Sequence, residues 1–241
     1  SLPTRRSRVR PPLPAPKFMI IWVASYPKSG NTYIRSFLSA YYFSKKGKFE
    51  FDQLLNILQF PSIKFSQKDY FNFNDAAKNW VTNQKYFFEK DNLRLLKTHN
   101  TLNNFQGENF TTKEQTLGAI YIVRDPRNVI SSMCNHYSFS LDRAFEKLMD
   151  KEASLSEKSA NGDCSNFTFL GSWSDHYKSW RDTKEFKVLF IKYEDLKDNK
   201  YEILKEVIHF IENLKKDNFK FDETKFMNSV NSTNFVNLKN K

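Results

Sequence analysis

The sequence predicts an α/β fold, a single domain with a P-loop-like central parallel sheet flanked by helices. Three observations predict it. Four apolar runs of strand length alternate with segments of helical spacing; each run ends in polar or cationic residues; and the first run passes through a short polar loop into a helix. A chain of 241 residues is long enough for one such domain with a full core.

The first run, Phe18-Met19-Ile20-Ile21-Trp22-Val23-Ala24, is unbroken and suits a strand buried on both faces. Ser25-Tyr26-Pro27-Lys28-Ser29-Gly30-Asn31-Thr32 follows, and then Ile34, Phe37, Leu38 and Tyr41 at helical spacing. The first N–H groups of a helix have no internal partner, and its dipole favours negative charge there. Lys28 adds a full positive charge, so this loop is predicted to hold a phosphate.

Residues 45–91 scatter aromatics such as Phe49, Phe60, Phe65 and Tyr70 among polar residues. They predict short helices and loops over the sheet edge, with a partly apolar pocket as a further expectation. Leu93-Arg94-Leu95-Leu96-Lys97-Thr98-His99 is a second strand ending in a polar triplet. Leu117 to Val123 is a third, ending at Arg124-Asp125-Pro126-Arg127, where Pro126 helps stop it. Helices are predicted from about Asn128 to Tyr137 and from Leu141 to Met149. The Ser-, Lys- and Glu-rich stretch 151–166 predicts a surface excursion. Trp173, Tyr177 and Trp180 share a helix face. Lys187 to Ile191 is the fourth strand, followed by Lys192-Tyr193-Glu194-Asp195-Leu196. Ile203, Leu204, Val207, Ile208, Ile211 and Leu214 form a helical stripe. In such folds ligands bind beyond the C-terminal ends of the strands. Those ends carry Lys28, Lys97 with His99, Arg124 and Tyr193.

Thirty-eight Lys and Arg against 27 Asp and Glu give a net charge of +11, which predicts an anionic partner. Cys134 and Cys164 read as free thiols of a reducing compartment. No apolar run approaches the ~20 residues of a membrane helix. Residues 1–17 carry Arg5, Arg6, Arg8 and Arg10 and then four prolines, and predict a basic, Pro-rich flexible arm. The arm lacks the apolar stretch of a secretory signal, so the expected location is cytoplasmic.

The loop is not a Walker A sequence, because its Gly follows the Lys rather than preceding it. The third strand ends in Arg124, with no clear magnesium-holding Asp at any strand end. Both features disfavour a metal-dependent nucleotide kinase or NTPase. No cluster has zinc-ligand spacing, so no metal is expected. A basic nucleic-acid-binding module is the other alternative. The short recognition motifs are missing and the charge is spread along the chain, so no nucleic-acid partner is expected.

The chain after Lys17 resembles the sulfotransferases that use 3′-phosphoadenosine 5′-phosphosulfate (PAPS), and most closely their cytosolic branch. Residues 25–33 resemble the family's TYPKSGTTW loop, Lys97-Thr98-His99 its KTH triplet, and Arg124 through Ser132 its 3′-phosphate segment. Gly171-Ser172-Trp173 with His176 and Trp180 is similar to GSWxxHxxxW; Tyr193-Glu194-Asp195-Leu196 is the YEDL segment; Thr233-Asn234-Phe235 is similar to the start of TSFxxMKxN.

The resemblance implies that Lys28, Ser29, Gly30, Asn31 and Thr32 hold the 5′-phosphosulfate. Arg124 and Ser132 would hold the 3′-phosphate, and Tyr33, Tyr193, Thr233 and Phe235 would lie beside the adenine. Tyr33 stands where the family usually has Trp. His99 is implied as general base, with Lys28 and Lys97 stabilising charge, PAPS as co-substrate, adenosine 3′,5′-bisphosphate as product and no metal. The acceptor would be a hydroxyl or amine of unspecified class. The family's RKGxxGxWK clamp and KTVE dimer segments do not occur before Lys241. The implied domain, residues 18–241, therefore lacks its C-terminal 3′-phosphate clamp. His176 is expected in the core, and Glu194 and Asp195 as helix caps or cation anchors.

Overall fold

The computed structural model describes residues 19–88, 93–156, 161–216 and 219–233. The proposed arm, Phe18 and Phe235 lie outside them.

Strand β1 (Met19–Ser25) is the centre of the molecule. Ile20, Ile21, Trp22, Val23 and Ala24 are all fully buried, as expected of a strand covered on both faces. Side chains alternate across a strand, so β1 feeds two cores. Ile21 and Val23 face helices α1 (Asn31–Phe43), α7 (Lys200–Lys215) and α8 (Glu223–Ser232). Ile20, Trp22 and Ala24 face the aromatic layer of α2 (Phe73–Lys78), α3 (Trp80–Gln84) and α6 (Trp173–Asp182). The indole N–H of Trp22 donates to Thr116 Oγ1 at 3.0 Å, so its burial leaves no unpaired donor.

Strands β2 (Leu93–Thr98), β3 (Thr116–Val123) and β6 (Lys187–Lys192) complete a four-stranded sheet of order β2-β1-β3-β6. Every pairing in it is parallel. Because β2 and β3 leave β1 on opposite sides, the crevice opens at the C-terminal end of β1. The four predicted strands are these four.

Residues 45–88 form short helices and turns over the sheet edge, as predicted. Phe60 N donates to Lys97 O and Lys97 N to Leu58 O, both at 2.8 Å, so this segment covers the edge of β2. The aromatics of the segment divide between core and surface. Phe60, Phe65, Tyr70 and Trp80 are buried in the aromatic core, while Phe51, Phe71 and Tyr86 are exposed.

Helix α4 (Pro126–Tyr137) starts two residues before the predicted position. Pro126 sits in its first turn, where its missing N–H costs nothing, and Asp125 caps it by accepting from Arg127 N. Helix α5 (Leu141–Met149) has the predicted bounds.

Two parts of the chain depart from expectation. The stretch read as a surface excursion folds back as β4 (Ser154–Leu155), paired antiparallel with β5 (Thr168–Phe169). Asp163, Cys164 and Ser165 are buried within it. Asp163 Oδ1 accepts from Tyr70 N at 2.8 Å and from Ser165 N at 3.0 Å, so bonds to a residue 93 positions away offset the burial of a polar stretch. Helix α8 has no counterpart in the sequence reading. Asp222 caps it, and Phe226 and Val230 pack into the core that Phe37 shares. Neither Cys134 nor Cys164 is in a disulfide. No helix among the described residues is long and apolar enough to cross a membrane.

Candidate active site

The loop after β1 turns sharply. Lys28 and Gly30 both have positive φ, +67° and +94°. Helix α1 begins at Asn31 with no acidic residue in its first turn and no side-chain cap, so its own residues leave its N-terminal positive end uncompensated. Asn31 Nδ2 donates to Val23 O at 2.9 Å and Ser25 Oγ at 3.2 Å, tying the helix start to the strand end. This tie is a structural task that the sequence does not announce.

Gly30 is required twice over. Its φ favours glycine, and a Cβ there would overlap the ring of Tyr193 at Cδ2 and Cε2. Gly30→Ala is expected to cost on the order of 1–3 kcal/mol. For a domain of this size that lowers the melting temperature by roughly 2–4 °C per kcal/mol. An unchanged melting curve would show that the close approach of Tyr193 is not a constraint.

Arg124, at the end of β3, locks the loop from the other side. Its Nη1 donates to Lys28 O at 2.8 Å, and its Cζ lies 4.6 Å from the centre of the Tyr193 ring. Its Nε is buried without a hydrogen-bond partner, and so is Ser29 Oγ. Buried polar atoms of this kind are costly. Glu194 Oε1 accepts from Asp125 N at 3.1 Å and Asn128 Nδ2 at 3.3 Å, so this carboxylate braces the start of α4, as expected. Arg127 pairs with Asp125 at the surface, its side chain 87% exposed.

His99 stands just past β2. Its Nδ1 lies 2.7 Å from Ser25 O, which can only accept, so the ring proton sits on Nδ1 and Nε2 keeps its lone pair. Burial, and then the Lys97 charge, push the His99 pKa down to about 3. The neutral imidazole, the form able to take a proton, is thus the resident form. Lys97 is pushed down to about 8, by burial first and then by the Arg35 charge. Its Nζ donates to Gln59 Oε1 at 2.8 Å. Lys28 is also lowered, by burial and by Arg124. Cations held this close together lose part of that mutual penalty when an anion joins them.

His176 is fully buried, as expected, and bonded at both nitrogens. Nδ1 lies 2.8 Å from Tyr121 Oη, and Nε2 lies 3.0 Å from His99 O. It therefore fixes the backbone that carries His99. Burial lowers its pKa to about 4.

These two histidines give stability a pH dependence. Unfolded, each titrates near ~6.5. Folded, they titrate at about 3 and about 4. Below pH 6.5 the unfolded chain binds more protons, so stability is full above that pH and falls as pH drops toward 4. The slope is up to about 1.4 kcal/mol per pH unit for each histidine. Denaturant midpoints at pH 7.5, 6.5 and 5.5 measure it, and a flat profile over that range contradicts the burial of both rings.

A cavity of about 810 Å³ collects these groups. Lys28 and Gly30 from the loop and Asn31 and Thr32 from the start of α1 line it, with Lys97 and His99 from the end of β2, Arg124 and Tyr193 from just past β3 and β6, and Ser132 from α4. Ser29 is buried within the loop rather than in the wall. Tyr33 is elsewhere. It is 3% exposed and packs in the core with Ile34 and Phe37. Thr233 is fully buried at the end of α8, where its hydroxyl donates to Ser229 O. The wall also holds Gln59, His136, Asn166 and Thr168, to none of which the sequence reading gave a role. No local motif marks them; Gln59 is found only through its pairing with Lys97.

Fold and site together define a parallel α/β domain with a cationic anion cradle and a neutral histidine at its strand ends. The family model described as the sulfotransferase domain matches residues 20–241, and the chain belongs to the sulfotransferase family. It is similar to sulfotransferase 1E1 of Rattus norvegicus, 29% identical over 199 residues that cover 81% of this chain and 58% of that protein. Sulfotransferase 1E1 of Cavia porcellus is 30% identical over 192 residues, 78% of this chain and 57% of its own. The chain thus spans well under two thirds of the length of the curated relatives it matches. Among solved structures, mouse sulfotransferase SULT7A1 complexed with PAP shares the fold. The TM-score is 0.56 at 20% identity, covering 92% of this chain and 65% of that one.

Proposed function

We propose that the protein moves a sulfuryl group from PAPS to a hydroxyl or amine acceptor, with His99 as general base. One observation carries the reading. The bond from His99 Nδ1 to Ser25 O leaves Nε2 basic, in a cavity that also holds Lys28, Lys97 and Arg124. The residues present fit a polyanionic nucleotide. Arg124 Nε and Ser29 Oγ are buried polar atoms awaiting partners, and the first turn of α1 holds no acidic residue.

In the transfer an acceptor O–S bond forms as the S–O bond to the 5′-phosphate breaks. The electron pair leaves on adenosine 3′,5′-bisphosphate. His99 Nε2 takes the acceptor's proton. Lys28 and the first N–H groups of α1 stabilise charge on the departing oxygen, and Lys97 steadies the moving sulfonate. Arg124, with its planar fork, and Ser132 hold the 3′-phosphate. Tyr193 contributes an aromatic edge to the adenine side, and Thr233 and Phe235 belong to the same end of the nucleotide by resemblance. The working domain is residues 18–241, preceded by the basic arm. No metal and no nucleic-acid partner enter the proposal, and the location is cytoplasmic.

Adenosine 3′,5′-bisphosphate at ~100 times its dissociation constant should stabilise the fold by ~2.7 kcal/mol. No melting shift at millimolar bisphosphate would sink the reading. Magnesium-dependent ATP turnover would favour a nucleotide kinase instead; none is expected.

A further inference from the structure

We infer that Gln59 is a positioning residue of the transfer site: it holds the Lys97 ammonium at the cavity wall through an uncharged bond, so that the full charge stays available to the sulfonate. The inference rests on the sulfuryl-transfer reading above and adds to it a residue that no motif marks.

Lys97 needs such a partner. A lysine carries its charge on a flexible stem, so a place on a strand does not by itself place Nζ. The Arg35 charge also acts on Lys97, and with burial it pushes the Lys97 pKa down to about 8. What fixes Nζ is the bond it donates to Gln59 Oε1 at 2.8 Å. An ammonium can only donate, so the amide must turn its oxygen toward Lys97. One of the three N–H donors is spent there, which leaves two for an oxyanion.

Gln59 is itself fixed through its backbone. Residues 58–60 run parallel to the end of β2, with Gln59 in register with Lys97. Lys97 N donates to Leu58 O and Phe60 N to Lys97 O. Leu58 and Phe60 pack into the aromatic core, and Gln59 between them lines the cavity, as alternation requires. Ile57, one residue earlier, is buried in the opposite core with Ile34 and Phe37. Helix α1 grips the same segment. Arg35 Nε donates to Ile57 O and Nη2 to Leu54 O, both at 2.6 Å. The helix that starts at the anion loop thus also clamps the segment that bears Gln59. Of residues 45–88, Gln59 is the one that lines the cavity.

The neutrality of the amide is what suits it to this task. A carboxylate at position 59 would hold Nζ in place but pair its charge. An apolar side chain would leave the charge and lose the position. An amide oxygen fixes the ammonium and keeps its charge whole. Preorganised charge of this kind acts without reorganising as the reaction proceeds. In the proposed transfer Lys97 serves the sulfonate, the group that adenosine 3′,5′-bisphosphate lacks. An effect on Lys97 should therefore separate the two nucleotides.

The test is isothermal titration with PAPS and with adenosine 3′,5′-bisphosphate, which needs no acceptor. The readout is the ratio of PAPS affinity to bisphosphate affinity. Gln59→Leu is expected to lower that ratio by about 3–10-fold, the share of one hydrogen bond, with bisphosphate affinity and the melting temperature retained. Gln59→Glu, nearly isosteric, is expected to lower it at least as much, because it pairs the Lys97 charge. In a Lys97→Met background Gln59→Leu should have no further effect, since the two residues act as one unit. An unchanged ratio in Gln59→Leu would overturn the inference. So would equal weakening of both nucleotides, a wild-type ratio in Gln59→Glu, or the full effect of Gln59→Leu without Lys97. Failure of the unsubstituted protein to bind either nucleotide is a different result, which removes the donor reading and the inference with it.

Discussion

His99→Ala is expected to lower turnover by about 10²–10⁴-fold while leaving the affinity for adenosine 3′,5′-bisphosphate essentially unchanged. The separation follows from where the ring is held. Its Nδ1 bond goes to Ser25 O at the end of β1, its backbone carbonyl is held by His176, and neither contact involves Lys28, Ser29, Gly30 or Arg124. Equal loss of binding and turnover would make His99 a structural residue. The pH profile sharpens the distinction. With its pKa pushed down to about 3, His99 is neutral across the physiological range. kcat/KM, which reports the free enzyme, should therefore show no histidine ionisation near 6.5. The anion that joins Lys97 and Lys28 offsets the two charges that help hold that pKa low, so the basicity of Nε2 rises when the cavity is filled. kcat should then show an acid limb at higher pH than kcat/KM does.

Arg124→Ala is expected to remove most nucleotide affinity. The guanidinium makes one bond to Lys28 O, stacks on Tyr193 and keeps Nε buried without a partner. Each charge-assisted bond to a phosphate contributes about 1.5–3 kcal/mol. Losing two such bonds weakens binding by roughly 10²–10⁴-fold, at 1.4 kcal/mol per factor of ten. Arg124→Lys should recover little, since an ammonium has neither the fork nor the flat face. Calorimetric titration with the bisphosphate measures both variants. Wild-type affinity in Arg124→Ala would mean that the arginine only braces the loop. That bracing role is separable, because its loss lowers the melting temperature without ligand.

Much of this site could be read before any coordinates. The two central strands, residues 19–25 and 116–123, are buried on both faces and write themselves as long apolar runs, while the edge strands 93–98 and 187–192 keep shorter apolar runs interrupted or flanked by Arg94, Lys97, Lys187 and Lys192. The residues at their ends then converge by topology alone, which is why Lys28, Lys97, His99, Arg124 and Tyr193 share one cavity.

What could not be read depends on distant partners. The pairing of Gln59 with Lys97 spans 38 residues, and the bond that lets Asp163 be buried spans 93. Strands of two residues, such as β4 and β5, are too short to show a period. Tyr33 sits in the first turn of α1, 3% exposed and packed in the cluster that Tyr193 borders, a burial that depends on distant partners and has no local pattern. The aromatics of residues 49–88 illustrate the same limit. Composition marks them as apolar, but only packing decides whether they face a ligand or each other.

The central claim is that one cavity holds a nucleotide bearing phosphates at both its 5′ and 3′ ends. Isothermal titration of the protein with adenosine 3′,5′-bisphosphate and with adenosine 5′-monophosphate tests it most directly. The arrangement of Lys28 and Arg124 predicts saturable bisphosphate binding, with the monophosphate weaker by the contribution of the Arg124 contacts, roughly tenfold or more. Equal affinity for the two nucleotides, or no binding of either, would contradict it.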